Sequence, residues 1–396
     1  MPEDPDLPQV LGAEFIARPH PILRRLRRTG SVTKVRTPSG AEVWVVTRAR
    51  DVRAGLADPR LVTAATSTYP EPGAGALQVS LLDYAPADHA RLRRLAASCF
   101  TPARAQAHRP AIEAIAEDLV TRLATTARAD LLTEFAYPLA GRVTATVFGL
   151  AGPSTYAAVV MLAAKPRRSP EDRRRAVAAI EAAIEAAVQD RIGHLRNGDD
   201  VFSAIVGAWR ASADPVTREE LLSLCGMLVL AGFETTAQML CLAVLAVLTR
   251  PELARRLRDD PGAVPGAVEE LLRWDAPGPF TTRRHATEDI ELGGSVIPAG
   301  STVLLSIMAA NRDPDAHPAP DVLDLERRER HLAFGLGPHF CLGAPLARLS
   351  LTVALTTLLR GCPDLALAVP PTRLRWAGSH LNRGLAALPV FPSGPG

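Results

Sequence analysis

The densest chemical signal in the 396-residue chain is Phe334-Gly335-Leu336-Gly337-Pro338-His339-Phe340-Cys341-Leu342-Gly343. Two glycines and a proline precede a cysteine, and an apolar helical pattern begins at Ala344. Glycine takes positive φ without penalty and lets the backbone approach something flat or bulky. A cysteine just ahead of a helix feels the positive end of its dipole, which favours thiolate over thiol. One thiolate in an apolar loop cannot supply the four ligands of a zinc site. It suits the single axial position of a haem iron, whose other ligands the porphyrin provides. Two further readings stay open on these residues: a buried cysteine beside a glycine turn, and a Cys341–His339 nucleophile pair. The pair is awkward at that separation and has no third orienting group.

A second polar cluster lies where apolar residues dominate. Residues 221–248 carry Glu234 as their sole formal charge, yet Gly232, Glu234, Thr235, Thr236 and Gln238 fall within seven positions. The run is long enough to span a bilayer. A carboxylate at bilayer depth is costly, however, and the flanks lack an aromatic belt, so the run reads as the central helix of a large core. Glycine and threonine are weak helix formers, glycine by about 1 kcal/mol against alanine. Gathered here, they make either a polar kink or a groove that holds dioxygen and water. Glu270 and Arg273, three apart, share a helix face. As a surface pair they would contribute a few tenths of a kcal/mol.

Positioning these groups requires a helical frame. Apolar residues at three- and four-residue spacing predict helices over 111–127, 172–195, 252–258, 263–274 and 344–360. Strands are predicted at 32–36 and 43–47 around Pro38-Ser39-Gly40. A second hairpin is predicted from 290–292 and 302–306. With no repeat, linker or composition break, the chain reads as one mostly α (α+β) domain over residues 1–396. A net charge of +3 excludes a chain built to neutralise nucleic acid. Five scattered cysteines without a Cys-x-x-Cys pair exclude a disulfide framework or a paired-cysteine metal site. The acidic, proline-rich start at Met1 has no basic or apolar leader pattern, which predicts a cytoplasmic protein.

The segment 334–343 resembles the haem-binding signature of the cytochrome P-450 family, with Phe334, Gly335, Gly337, His339, Cys341 and Gly343 in register. Other segments match in the family's order. Ala231-Gly232-Phe233-Glu234-Thr235-Thr236 resembles its oxygen-activating helix segment, and Glu270 and Arg273 its Glu-x-x-Arg pair, with Arg327 as third member. Asp88 to Arg94 resembles the helix whose histidine and arginine, here His89 and Arg93, hold haem propionates, and Arg284 resembles another propionate-binding arginine. The resemblance implies the cytochrome P-450 fold, heme b, and Cys341 as iron ligand. It implies cofactor contacts from His89, Arg93, Arg284, His339, Phe334, Gly335, Gly343 and Ala231. Thr235 would hydrogen-bond the oxygen and Glu234 would relay protons.

The same resemblance implies a monooxygenase that inserts one oxygen atom from O2 into, or oxidatively couples, a lipophilic small molecule, with electrons from NAD(P)H through a ferredoxin reductase and an acidic ferredoxin. Arg91, Arg93, Arg94, Arg104 and Arg109 offer that ferredoxin a basic run. Ser350, where relatives carry an acidic residue, and a 327–331 stretch about one residue short depart from the pattern near that surface. Substrate contacts are expected from 62–82, 229–233, 277–282 and His380-Leu381. Lys165, Arg167 and Arg168 suggest an anionic substrate or carrier. High Ala and Arg usage points to a GC-rich bacterial genome, and by analogy to tailoring of polyketides, peptides or terpenoids. The protein is expected to be a monomer, with neither nucleic acid nor membrane as partner. Rival readings are a peroxide-dependent peroxygenase, which the Glu234-Thr235 pair opposes, a haem gas sensor or non-catalytic haem protein, and a cysteine hydrolase.

Overall fold

The long apolar run forms one helix, Arg218–Leu248, in the computed structural model, which describes residues 7–64, 66, 68–70, 73, 75–150, 169–194 and 199–394. Its start is set by a capping box. Thr217 Oγ1 accepts from the Glu220 amide at 3.1 Å, and the Glu220 carboxylate accepts from the Thr217 amide at 2.8 Å. It stops at Thr249, two residues before Pro251 opens the next helix, Pro251–Asp259. Among the described residues it is the one helix long and apolar enough to cross a membrane, and most of it is buried in protein.

The described chain divides into two units. In the unit formed by 66–264, 342–373 and 387–396, the long helix packs against Tyr137–Phe148, Pro170–Gly193 and Ala344–Gly361. Arg109–Ala124 packs on Ala344–Gly361. The Tyr137 ring stacks on Phe233 with centroids 5.4 Å apart, tying Tyr137–Phe148 to the polar stretch of the long helix. The predicted helices are present within two or three residues of their expected ends.

The other unit, 1–65, 265–341 and 374–386, holds a five-stranded sheet in the order Val32–Arg36, Glu42–Val46, Thr302–Leu305, Arg284–Ala286, Leu61–Val62. The first hairpin forms as expected, whereas Glu42–Val46 runs parallel to Thr302–Leu305. The second hairpin differs from its prediction. Ile290–Leu292 pairs with Ser295–Ile297, not with the strand at 302. Gly293 and Gly294 have φ of +57° and +83°, the backbone that a two-residue turn of mirror type demands, so the strand folds back at once. Thr302–Leu305 is thereby released to join the large sheet.

In this unit Glu270 and Arg273 are buried, so the surface-pair reading fails. Arg273 Nε and Nη2 donate to the two Glu270 carboxylate oxygens at 2.7 Å each, and Nη1 donates to the Asn311 and Pro320 carbonyls at 2.9 Å. Arg327 Nε donates to Glu270 Oε1 at 3.3 Å, and the Asp324 amide donates to the same oxygen at 2.8 Å. The Glu270 and Arg273 charges offset each other, and the second guanidinium, Arg327, is also held by the Pro318 carbonyl at 2.9 Å. Removing one member of such a buried pair typically costs about 3–5 kcal/mol because a charge is left behind.

His317 lies against this network, 1% exposed, with Nδ1 lacking a hydrogen-bond partner. Burial, reinforced by Arg273 and Arg327, lowers its pKa from 6.5 to about 4. The unfolded chain therefore binds more protons between those values, and stability falls as pH drops from about 6.5 to about 4. The loss at this one site is on the order of 3 kcal/mol. Urea midpoints measured from pH 7 to pH 4 should fall less steeply for His317→Gln than for the parent. A constant difference between the two across that range would refute the assignment.

Candidate active site

The cysteine loop is a nest of short-range turns in the sheet-bearing unit. Gly335 and Gly337 have φ of +74° and +73°. The Gly335 amide donates to Leu332 O at 2.8 Å, Phe340 to Gly337 O at 3.0 Å, and Cys341 to Phe334 O at 2.9 Å. Gly337 must be glycine on two counts: its backbone is left-handed, and a Cβ there would stand 3.2 Å from the Leu56 carbonyl oxygen. The buried ion cluster reaches this loop through Asn311. Arg273 Nη1 donates to its carbonyl, and its side-chain Oδ1 accepts from the Leu332 amide at 2.7 Å. Glu270, Arg273 and Arg327 thus support the cysteine loop, as expected. Cys341 is exposed, while Cys99, Cys225, Cys241 and Cys362 are buried. Burial raises the pKa of each of those four thiols, keeping them protonated and inert.

Arg284, on the Arg284–Ala286 strand of the same unit, is 3% exposed. Its Nη1 makes one long contact to Leu61 O at 3.4 Å, and its Nε has no hydrogen-bond partner. Burial lowers its pKa from the ordinary guanidinium value. A buried guanidinium with an unmet donor calls for an anion, and a carboxylate offers the matching geometry. His339 lies in the Gly337–His339 turn, two residues from Cys341.

In the helical unit, the polar cluster of the long helix opens a notch. Ala231, Gly232 and Thr235 are exposed, whereas Val229, Phe233 and Ala237 around them in the sequence are buried. Thr235 Oγ1 donates back to the Ala231 carbonyl at 2.9 Å, a bond that competes with the helical ladder and loosens it locally. Glu234, one residue earlier, takes a different face. It lies near Tyr137, whose phenol pKa is raised by burial and then by the Glu234 charge. Gln238 Nε2 donates to Tyr137 Oη at 3.4 Å. The sequence reading missed Tyr137, which stands a hundred residues from Gln238 with no local motif around it. His89, 3% exposed, and Arg93 lie one turn apart on Pro86–Ala97. Gly343 is the N-cap of Ala344–Gly361.

A family model described as Cytochrome P-450 matches residues 153–363. The chain is 39% identical over 386 residues to the cytochrome P-450 monooxygenase PikC of Streptomyces venezuelae, covering 96% of this chain and 92% of that protein. It is 41% identical over 376 residues to the mycinamicin IV hydroxylase/epoxidase of Micromonospora griseorubida, covering 92% of this chain and 93% of the relative. The chain belongs to the cytochrome P-450 family. The ligand-free structure of the P-450 monooxygenase TamI superposes with a TM-score of 0.90 at 36% identity, over 98% of this chain and 95% of that one. The expected fold is therefore present. The protein is a P-450 oxidoreductase whose cofactor is heme b, binding a small-molecule substrate and O2 and drawing electrons from redox partners.

For a P-450 the residues present fit the cofactor. An exposed thiol on a rigid glycine loop and a buried arginine with an unmet donor are what an iron porphyrin with carboxylate arms requires. The structure adds detail to the basic run and corrects the placement of Ser350. Arg91 donates to Glu220 at 2.6 Å, Arg94 to Asp214 at 2.6 Å and Arg109 to Glu113 at 3.2 Å. Three of the five arginines of the basic run therefore carry acidic partners of their own. Ser350 is buried, so the missing carboxylate there alters packing and not a docking surface. Lys165, Arg167 and Arg168 lie outside the described residues, as do residues 65, 67, 71, 72 and 74 of the expected substrate loop.

Gly337→Ala should destabilise the loop by about 1–2 kcal/mol, the usual penalty of left-handed backbone for a residue with a Cβ. The expected outcome is a lower thermal midpoint and a lower haem-to-protein ratio after purification. A variant that keeps both at parental values would show that the left-handed turn is dispensable.

Proposed function

We propose that this P-450 hydroxylates or epoxidises a sizeable lipophilic secondary metabolite of polyketide, peptide or terpenoid kind. The observation that carries the reading is the notch of Ala231, Gly232 and Thr235, exposed in an otherwise buried apolar helix. A relative matching nearly the whole chain bears the name mycinamicin IV hydroxylase/epoxidase, which supports both the substrate size and the two reaction outcomes.

Cys341 would ligate the iron, with the peptide bonds of Phe334, Gly335 and Gly343 and the face of Ala231 bordering the porphyrin. Arg284, His89, Arg93 and His339 would hold the propionates, and Arg284 brings the unmet donor described above. When bound, heme b supplies activation of dioxygen and transfer of one oxygen atom, with thiolate ligation favouring O–O cleavage. The chain's own share is orientation and proton control. Thr235 holds a hydroxyl proton on the Ala231 carbonyl and keeps oxygen lone pairs available in the notch. The resemblance gives Glu234 the proton relay; it is half-buried beside Tyr137 on a different face of the helix, so that relay would reach the Thr235 hydroxyl through intervening groups and not by direct contact. The apolar side chains of the long helix around the notch, Val229 and Phe233 among them, exclude water. Electrons would arrive from NAD(P)H through a ferredoxin reductase and ferredoxin, and the protein would act in the cytoplasm as a monomer.

Two measurements test this. The dithionite-reduced CO complex should show the red-shifted Soret band of thiolate ligation, and Cys341→Ser should abolish it; a parent without the band would overturn the haem-thiolate assignment of Cys341. Thr235→Ala should retain haem while product formation falls by about 10²-fold, the low end for a positioned proton donor, with NAD(P)H diverted to peroxide. Tight coupling in that variant would remove Thr235 from the proton path. Efficient turnover with peroxide, and none with ferredoxin and reductase, would reverse the proposed electron route.

A further inference from the structure

In the sheet-bearing unit, residues 331–333 lead into the cysteine loop with no helix or strand to take up their amides. Side chains take them up instead. The Leu332 amide goes to Asn311 Oδ1, as described above, and the Ala333 amide donates to His331 Nδ1 at 3.0 Å. On the other side of the ring, His331 Nε2 lies 3.2 Å from Glu269 Oε2. A ring nitrogen that accepts an amide proton carries none of its own, so the neutral imidazole holds its hydrogen on Nε2. That hydrogen is donated to a carboxylate. The Glu269 contact therefore selects the tautomer in which Nδ1 can accept.

Glu269 precedes Glu270 on Val264–Trp274, so one helix reaches the loop by two routes. Glu270 acts through Arg273 and Asn311 on Leu332, and Glu269 acts through His331 on Ala333. The His331 side chain is 7% exposed, and its ring is tilted against Phe334 with centroids 6.0 Å apart. The Phe334 carbonyl in turn accepts from the Cys341 amide at 2.9 Å. We infer that His331 is a positioning residue for the Cys341 sulfur: Nδ1 fixes the Ala333 peptide, and through Phe334 it sets where the Cys341 backbone is held. The inference rests on Cys341 being the iron ligand, as proposed above, and it gives His331 no contact with the cofactor.

The test uses haem-loaded protein carrying His331→Ala, His331→Asn or His331→Gln. The asparagine oxygen falls near the place of Nδ1 and accepts from the amide two residues on, as in an Asx turn. Glutamine reaches toward Glu269 instead and leaves the Ala333 amide without its acceptor. The reduced CO complex is followed in urea dilute enough to leave the far-ultraviolet circular dichroism of every variant unchanged. There the red-shifted Soret band should give way to that of the form without thiolate ligation about tenfold faster in the Ala and Gln variants, the effect of one hydrogen bond. It should decay at the parental rate in Asn. Hydrogen exchange at the Ala333 amide should follow the same order. Parental decay in His331→Ala would overturn the inference, as would equal acceleration in Asn and Gln. So would an acceleration confined to urea concentrations at which the dichroism also falls. A parent without the red-shifted band would overturn the haem-thiolate reading, whereas parental exchange at Ala333 in His331→Ala, with the band present, would overturn this inference alone.

Discussion

The Glu270 carboxylate takes hydrogen bonds from two buried arginines and a backbone amide, and the cysteine loop depends on the geometry that results. A carboxylate this deep is tolerated because its oxygens are fully engaged and its charge is countered. Arg273 then carries the order outward, through the Asn311 carbonyl and the Asn311 side chain to the Leu332 amide, where the glycine turns begin. The loop cannot relax independently of the ion cluster, since each hydrogen bond in the relay shares a residue with the next. A sulfur held this way would need no rearrangement to meet the iron that the proposed function assigns to it.

The long helix solves a different problem. A segment that must be apolar to fill a core also carries a hydroxyl, a carboxylate and exposed backbone, which the proposed function would turn toward small polar reactants. It does so by concentrating poor helix formers in one turn, while the capping box at Thr217 and extensive burial on both sides secure the remainder. The Thr235 bond back to Ala231 marks where the ladder is weakest. Rigidity before and after that turn lets the weakness stay local.

Much of this was legible in the residue order, for physical reasons that differ by element. The loop at 334–343 announces itself because its glycines, proline and cysteine are contiguous, and left-handed backbone leaves its mark on residue type. Helices were readable from apolar spacing, with their ends placed to within two or three residues. The spacing of Glu270 and Arg273 showed their shared face but not their burial, since i,i+3 spacing is the same on a surface; burial and the third member, Arg327, came from the resemblance. Asn311, which links them to the cysteine loop, left no local mark. Tyr137 beside Glu234, Glu269 beside His331 and the acidic partners of Arg91 and Arg94 left no local trace. The mispaired second hairpin has the same origin. Strand propensity marks which segments extend, whereas the choice of neighbour is settled by turn geometry and by a sheet assembled from remote pieces.

That sheet has a consequence for how the polypeptide is made. Trp44 pairs with Val303 and Leu61 with Ala286, so beyond the local hairpin the amino-terminal strands find their remaining neighbours only after about three quarters of the polypeptide has left the ribosome. In the other unit Ala129 waits for Val390, almost the last residue described. Helices such as Arg109–Ala124 can form at once from local contacts, but their packing partner Ala344–Gly361 also arrives late. Nascent chains therefore spend most of their synthesis with strand edges and apolar helix faces uncovered, the kind of surface that makes incomplete chains prone to aggregate.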